Sequence, residues 1–318
     1  MSVSGLVEID RRRIRRLTSQ DRTHERAFDR IVRRQGWLDG WGEVIQKIVG
    51  GFYDATGAPG RVFKDLMHGT HVLGHPLHPA VTDVPLGAWT VGVVADWFFV
   101  VTGRVPAVAG DLALALGVAA ALLAAVTGYT DHHETVGHER RAATVHGLTM
   151  TIVVVIELVS LALRLWVPGM RLTAVVLASL GWLLALCGAY VGGHLTFAIG
   201  TVVNHNAFYE GPKDYVRVGT RDDFPEGEMR RVDASGLPVV ILRREGLLHA
   251  IGAVCCHAGG PLDEGKLDGD VVTCPWHSSR FRFSDGHVVG GPATFDQPPL
   301  KVRERGGVVE VKLAHPLH

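Results

Sequence analysis

The residues best suited to chemistry lie near the C-terminus. Cys255-Cys256-His257 is followed by sixteen residues and then by Cys274-Pro275-Trp276-His277. A Cys-x-His and a Cys-x-x-His on two loops offer two thiolates and two imidazoles. That set suits a binuclear iron–sulfur centre with both thiolates on one iron and both imidazoles on the other; it also satisfies a tetrahedral zinc ion. Cys256 fills the spacer position and reads as a buried apolar thiol or a reactive bystander. Four cysteines in 318 residues are too few for a disulfide scaffold. Three of them sit in this constellation, so metal binding is the better reading.

Two kinds of element must position these groups. From about Tyr215 onward the chain is made of short β-branched runs (237–242, 247–254, 271–273, 281–283, 288–289, 300–302 and 308–313) separated by Gly, Asp and Pro. This spacing predicts a small antiparallel β domain. Upstream the composition is different. With 47% hydrophobic residues, 39 glycines and a mean hydropathy of +0.18, the whole chain is too apolar for an ordinary soluble enzyme domain. Four apolar stretches, 81–101, 107–129, 144–167 and 172–193, each approach the ~20 residues that cross a bilayer as a helix. The expected fold class is therefore an α-helical membrane bundle of four transmembrane helices plus a small all-β domain.

The expected boundaries are a basic arm with amphipathic helices over 1–70, a four-helix membrane domain over 71–210 and the β domain over 213–318. Within the arm, 37–66 mixes Trp, Ile, Val and Phe with charges and predicts helix lying on a membrane surface or on the rest of the protein. The 32 basic and 32 acidic residues cancel, so no basic excess points to nucleic acid. No apolar core follows the run Arg11 to Arg13 with Arg15 and Arg16, so no signal peptide is expected. The basic arm, Arg140, Arg141, Lys213, Arg217 and Arg221 fall on one side of the spans, while Arg104, Arg164 and Arg171 lie toward the other. Positive charge retained inside predicts a multi-pass protein of the cell (inner) membrane with both termini cytoplasmic.

With Gly259-Gly260-Pro261-Leu262, Gly265 and Gly291-Pro292 added to the cysteine and histidine pairs, the C-terminal part resembles the Rieske [2Fe–2S] family, in its ferredoxin and oxygenase-associated type. The resemblance implies a [2Fe–2S] cluster with Cys255 and Cys274 as thiolate ligands and His257 and His277 as imidazole ligands. It places Ser279 where high-potential members carry a hydroxyl donor, and Phe281 where they carry a tyrosine. Gly260 and Trp276 stand where respiratory-complex members have an extra disulfide. One hydroxyl donor to the cluster is thus present and one missing, which predicts a potential in the lower or middle part of the family's range. Ser278 departs from the glycine usual there. Upstream, His75-Pro76-Leu77-His78-Pro79 continuing to Asp83-Val84-Pro85, with Gly192-Gly193-His194-Leu195, resembles an uncharacterised bacterial membrane family, domain of unknown function 2231. That resemblance implies a four-span domain found fused to or encoded beside redox modules.

An up-and-down bundle brings His75, His78, His132, His133, His138, His146 and His194 to the membrane face that carries the β domain. Ionisable residues at membrane depth are costly and mark function, and facing helices can hold haem iron or another metal. His146 and His194 are the best candidate pair for haem b or another metal, with His78 and His75 next; the plainer alternative is that these histidines cap helix ends or meet lipid headgroups and bind no cofactor. Gly147, Gly192 and Gly193 leave room for a flat ring. Asp83 is a candidate partner of His78, and Glu157 a candidate ion-pair partner of Arg164.

The expected function is membrane-anchored electron transfer. A cytoplasmic redox protein would exchange single electrons with the cluster, which would pass them to or from a haem or a quinone at the cytoplasmic face of the bundle. The alternative is a redox sensor or membrane tether that recruits a soluble oxidoreductase or oxygenase, with no cofactor in the bundle. A self-contained oxygenase is not expected, because no stretch for its non-haem iron domain follows the last strand.

Overall fold

The computed structural model describes residues 27–70 and 73–314. Two helices open it: α1, Ala27–Arg33, and the longer α2, Trp37–His68, which bends at Gly57. Trp37, Trp41, Val44, Ile48 and Phe52 of α2 form an exposed apolar stripe at helical spacing. The opposite face packs on the bundle. There Gln46 donates through Nε2 to the carbonyls of His132, His133 and Thr135, at and just past the C-terminal end of a bundle helix.

Four helices follow, each long and apolar enough to cross a membrane: α3, Leu77–Thr102; α4, Ala107–His133; α5, Gly137–Trp166; and α6, Arg171–His194, which runs on through a π turn at Leu195–Ile199. Several run past the apolar stretches read from the sequence. The added turns, such as 130–133 and 137–143, carry histidines and charges. Contacts join α3 to α4, α4 to α5, α5 to α6 and α6 back to α3. The seams use small residues, as helix pairs in lipid require. The Trp89 indole lies directly against Gly117, and Met150 against Gly188. Val91, Val94, Leu112, Leu116, Ile152 and Val155 point outward.

At the end of the bundle away from the β domain, Arg164 and Asp96 form a buried pair at 2.5 Å and 2.9 Å. Asp111 and Arg171 extend it at the surface. This corrects the expectation for Glu157. Both its carboxyl oxygens are buried and unpartnered, because the Arg164 guanidinium is already occupied by Asp96, Asp111 and Ser160.

The C-terminal part has two antiparallel sheets. The larger comprises β1, Val216–Thr220; β2, Met229–Asp233; β3, Pro238–Arg244; β4, Leu247–Gly252; β9, Pro299–Arg305; and β10, Val308–Leu313, in the order β1-β10-β9-β4-β3-β2. The smaller comprises β5, Lys266–Asp268; β6, Val271–Thr273; β7, Arg280–Arg282; and β8, Val288–Gly290, in sequence order. Val240, Leu242, Ile251, Leu262, Val272, Phe281 and Phe283 fill a core that includes the three neighbouring cysteines.

Candidate functional site

The site is built on two loops. One runs from β4 to β5 and carries Cys255, Cys256 and His257; the other joins β6 to β7 and carries Cys274, Trp276 and His277. Each loop is tied to itself. In the first, the N–H of Cys255 donates to Gly260 O (2.8 Å), and that of Gly259 to Cys255 O (2.8 Å). In the second, the N–H of Cys274 donates to Ser279 O (2.8 Å), and that of Ser278 to Cys274 O (3.1 Å). Ser278 has φ +64°, a left-handed conformation that glycine adopts at little cost and serine does not. This is the physical reason a glycine is expected there.

The loops bring all four expected ligands together. Cys255 and Cys274 are buried with their thiols in mutual hydrogen-bonding range. The rings of His257 and His277 are 5.0 Å apart, centroid to centroid, and nearly perpendicular. Burial pulls His257 down to about 3, helped by the neighbouring imidazoles of His277, His68 and His205. His277 is lowered as well, first by burial, with Glu134 and Glu139 opposing. Cys255 is pushed up to about 12, chiefly by its hydrogen bond with Cys256, and Cys274 is raised chiefly by its hydrogen bond with Cys255. The thiols therefore keep their protons until a metal displaces them.

His257 Nδ1 and His277 Nε2 are fully buried and have no hydrogen-bond partner. Native proteins rarely leave such atoms unpaired. Two orphaned imidazole nitrogens beside two buried thiols are the donor set that a mixed-ligand iron–sulfur group uses, so the residues fit such a group. Cys256 is not one of them: its thiol donates to Phe295 O at 3.1 Å. Ser279 is fully buried, and its hydroxyl accepts the N–H of Ala293 (3.0 Å), which leaves its own proton free to donate. Phe281 lies in the core and offers no donor.

A family model for the Rieske [2Fe–2S] domain matches residues 214–302, and one described as a predicted membrane protein, DUF2231, matches 74–205. Ferredoxin CarAc of Metapseudomonas resinovorans is 32% identical over 98 residues, which are 30% of this chain and 92% of that ferredoxin. The chain belongs to the Rieske [2Fe–2S] family. Another Rieske relative, the probable 3-ketosteroid-9-alpha-monooxygenase oxygenase component of Rhodococcus rhodochrous, is 35% identical over 105 residues, 31% of this chain. The chain spans only 26% of the length of that protein. Among solved Rieske structures, the ferredoxin of carbazole 1,9a-dioxygenase from Nocardioides aromaticivorans IC177 shares 28% identity with a TM-score of 0.30, covering 31% of this chain and 97% of its own. Family membership implies a [2Fe–2S] cluster, as in ferredoxins that transfer electrons.

The Rieske domain is seated on the bundle. After the π turn, the N–H of His205 donates to Cys256 O (2.9 Å), and Asn206 Nδ2 to Val254 O (2.9 Å). From the other side the N–H of Gly291 donates to Asp65 Oδ1 (3.0 Å). Between them lies a cavity of about 20 Å3, lined by His257, Pro292, Thr294 and Phe295 above and by His68, Asp131, Glu134 and Glu139 below. His68 and Asp131 have no part in the sequence reading. The signal available was slight: one histidine at the end of an amphipathic helix and one acid just before His132.

The bundle histidines share one end but divide into separate groups. His146 and His194 are not paired. His194 Nε2 bonds Asp29 Oδ1 (2.8 Å), which also takes His138 Nε2 (2.8 Å). His132 bonds Thr144. His146 instead faces His78, ring centroids 6.2 Å apart; its Nδ1 bonds Gly188 O, and His78 Nδ1 bonds Ala124 O and Thr127 Oγ1. Asp83 is exposed and His78 takes its partners on α4 instead, while His75 is exposed and bonds Pro76 O. Within the described bundle helices no group of three or more His, Cys, Asp or Glu is gathered as metal ligands.

Proposed function

We propose that this chain is a membrane-anchored Rieske electron carrier in which Cys255, Cys274, His257 and His277 hold the cluster. One observation carries the reading: two adjoining thiols and two imidazoles with orphaned buried nitrogens converge on two loops seated against a bundle of membrane-spanning length. When bound, the [2Fe–2S] group supplies one-electron transfer. The protein's own part is to exclude water from the thiols, to offer the Ser279 hydroxyl as a donor, and to fix the imidazole edge at the bundle end.

On this reading the end that carries the Rieske domain faces the cytoplasm of a cell membrane, and a soluble redox protein exchanges electrons there. Ferredoxin components of dioxygenase systems are the relatives that support a soluble partner. On the membrane side, the His78 and His146 pair is the better support for a haem or other redox centre than His146 with His194. The cleft under the cluster loops, about 20 Å3, is far below the several hundred Å3 that a porphyrin or quinone needs.

The test is a spectrum of the full chain purified in detergent. Dithionite-reduced protein should give the EPR signal of a mixed-ligand [2Fe–2S] centre, which Cys255→Ser and His277→Ala abolish. A colourless protein with one zinc per chain would refute the reading. Haem bands in the same optical spectrum, lost in His78→Ala and His146→Ala, would place a second centre in the bundle.

A further inference from the structure

His68 closes α2 and is 2% exposed. Gly69 follows in a left-handed turn (φ +86°) against the His75 carbonyl, where a side chain would collide, so the position of His68 is set by the backbone. Its Nδ1 lies 2.8 Å from Asp131 Oδ1 at the end of α4. Its other nitrogen, Nε2, is buried and has no hydrogen-bond partner.

A carboxylate only accepts, so the bond to Asp131 places the His68 proton on Nδ1 and leaves a lone pair on Nε2. Across the cavity stands His257. Its Nδ1 is the orphaned buried nitrogen and its Nε2 is not. With Nδ1 on iron, Nε2 carries a proton and needs an acceptor. His68 and His257 both line the cavity of about 20 Å3, which has room for one water, so the acceptor is reached through a single bridge.

We propose that His68, oriented by Asp131, accepts the outer N–H of His257 and is thereby a positioning residue that sets the electron affinity of the Rieske centre. This rests on His257 being a ligand. A metal-bound imidazole that donates its second N–H becomes a stronger donor to the metal. Extra donation and the nearby Asp131 charge both favour the oxidised state. The other charged groups at this face are Glu134, paired with Lys64, and Glu139, which accepts from Thr201.

The experiment is an EPR-monitored redox titration of the full chain in detergent, with iron and sulfide measured per chain. His68→Leu should raise the midpoint so that the oxidised-to-reduced ratio at fixed potential falls about tenfold, or about 59 mV for one electron. Asp131→Asn, which leaves the ring in place, should move it the same way by less, and His68→Gln, whose amide oxygen can accept, should restore much of the shift. Asp65→Asn removes a similar charge one helical turn from His68 but leaves His68 and Asp131 in place, and should move the midpoint by less than His68→Leu does. The inference fails if His68→Leu and Asp131→Asn keep the wild-type midpoint at full cluster content, or if Asp65→Asn shifts it as far. If His68→Leu loads no cluster, Asp131→Asn decides. A wild type without the mixed-ligand signal would instead sink the ligand assignment.

Discussion

Gly259 and Gly260 are neighbours in the first cluster loop, but a methyl group at each should fail differently. At Gly260 it would stand 2.8 Å from Cys274 Sγ and 3.1 Å and 3.2 Å from two Trp276 ring carbons. Unstrained contacts lie at about 3.5–4.0 Å, so the overlap with sulfur is roughly 0.7 Å or more. Trp276 is 56% exposed and can swing away. Cys274 cannot, because its loop is pinned by the bonds between its own backbone, Ser279 and Ser278. Overpacking of this kind costs about 1–3 kcal/mol, and here it falls on a proposed thiolate ligand. At Gly259 nothing lies within 4 Å of the added carbon, but φ is +78°. The cost there is backbone strain of roughly 1–2 kcal/mol, with the ligands undisturbed. Iron, acid-labile sulfide and EPR spins per chain should therefore drop below half in Gly260→Ala. Gly259→Ala should hold a nearly full cluster and melt several degrees lower. Full loading and unchanged melting of Gly260→Ala, or equal cluster loss in both variants, would refute the argument.

Two further outcomes follow from the charges. Asp96→Asn leaves Arg164 buried without its main partner and should destabilise the bundle by about 3–5 kcal/mol. Glu157→Gln has no bond to lose and should cost about 1 kcal/mol or less; thermal melts in detergent compare the two, and equal losses contradict this account. Asp29 is pushed up by burial, but the hydrogen bonds from His138 and His194 outweigh it and hold the carboxyl below its ordinary value of 3.8. A lowered folded value gives stability that is complete above the unfolded value and is lost as pH falls through the folded one. Hydrogen-exchange protection factors across 27–33 should thus fall below about pH 4 in wild type. In Asp29→Asn they should be low throughout, whereas protection factors that do not change with pH in wild type would contradict the linkage.

The β domain and the four spans were legible because their signals are local: β-branched runs between turn residues, and stretches of bilayer length. That Cys255, His257, Cys274 and His277 come together was legible because they are close in sequence as well as in space. Pairings across helices were not. His146 and His194 lie at similar depth, but which imidazole faces which depends on helix rotation, and α1 brings Asp29 to His194 before any other histidine can reach it. Glu157 lies at helical spacing from Arg164, yet the arginine turns toward Asp96 on another helix. The meeting of Asp131 and His68 is hidden in the sequence for the same reason, since it depends on how α2 lies along α4.

The three hydrogen bonds that hold the Rieske domain, from His205, Asn206 and Gly291, come from both sides of the cluster loops. Held in this way, the cluster loops keep one height above the end of α2 in this structure, and on the proposed reading whatever exchanges electrons with them meets them at that height.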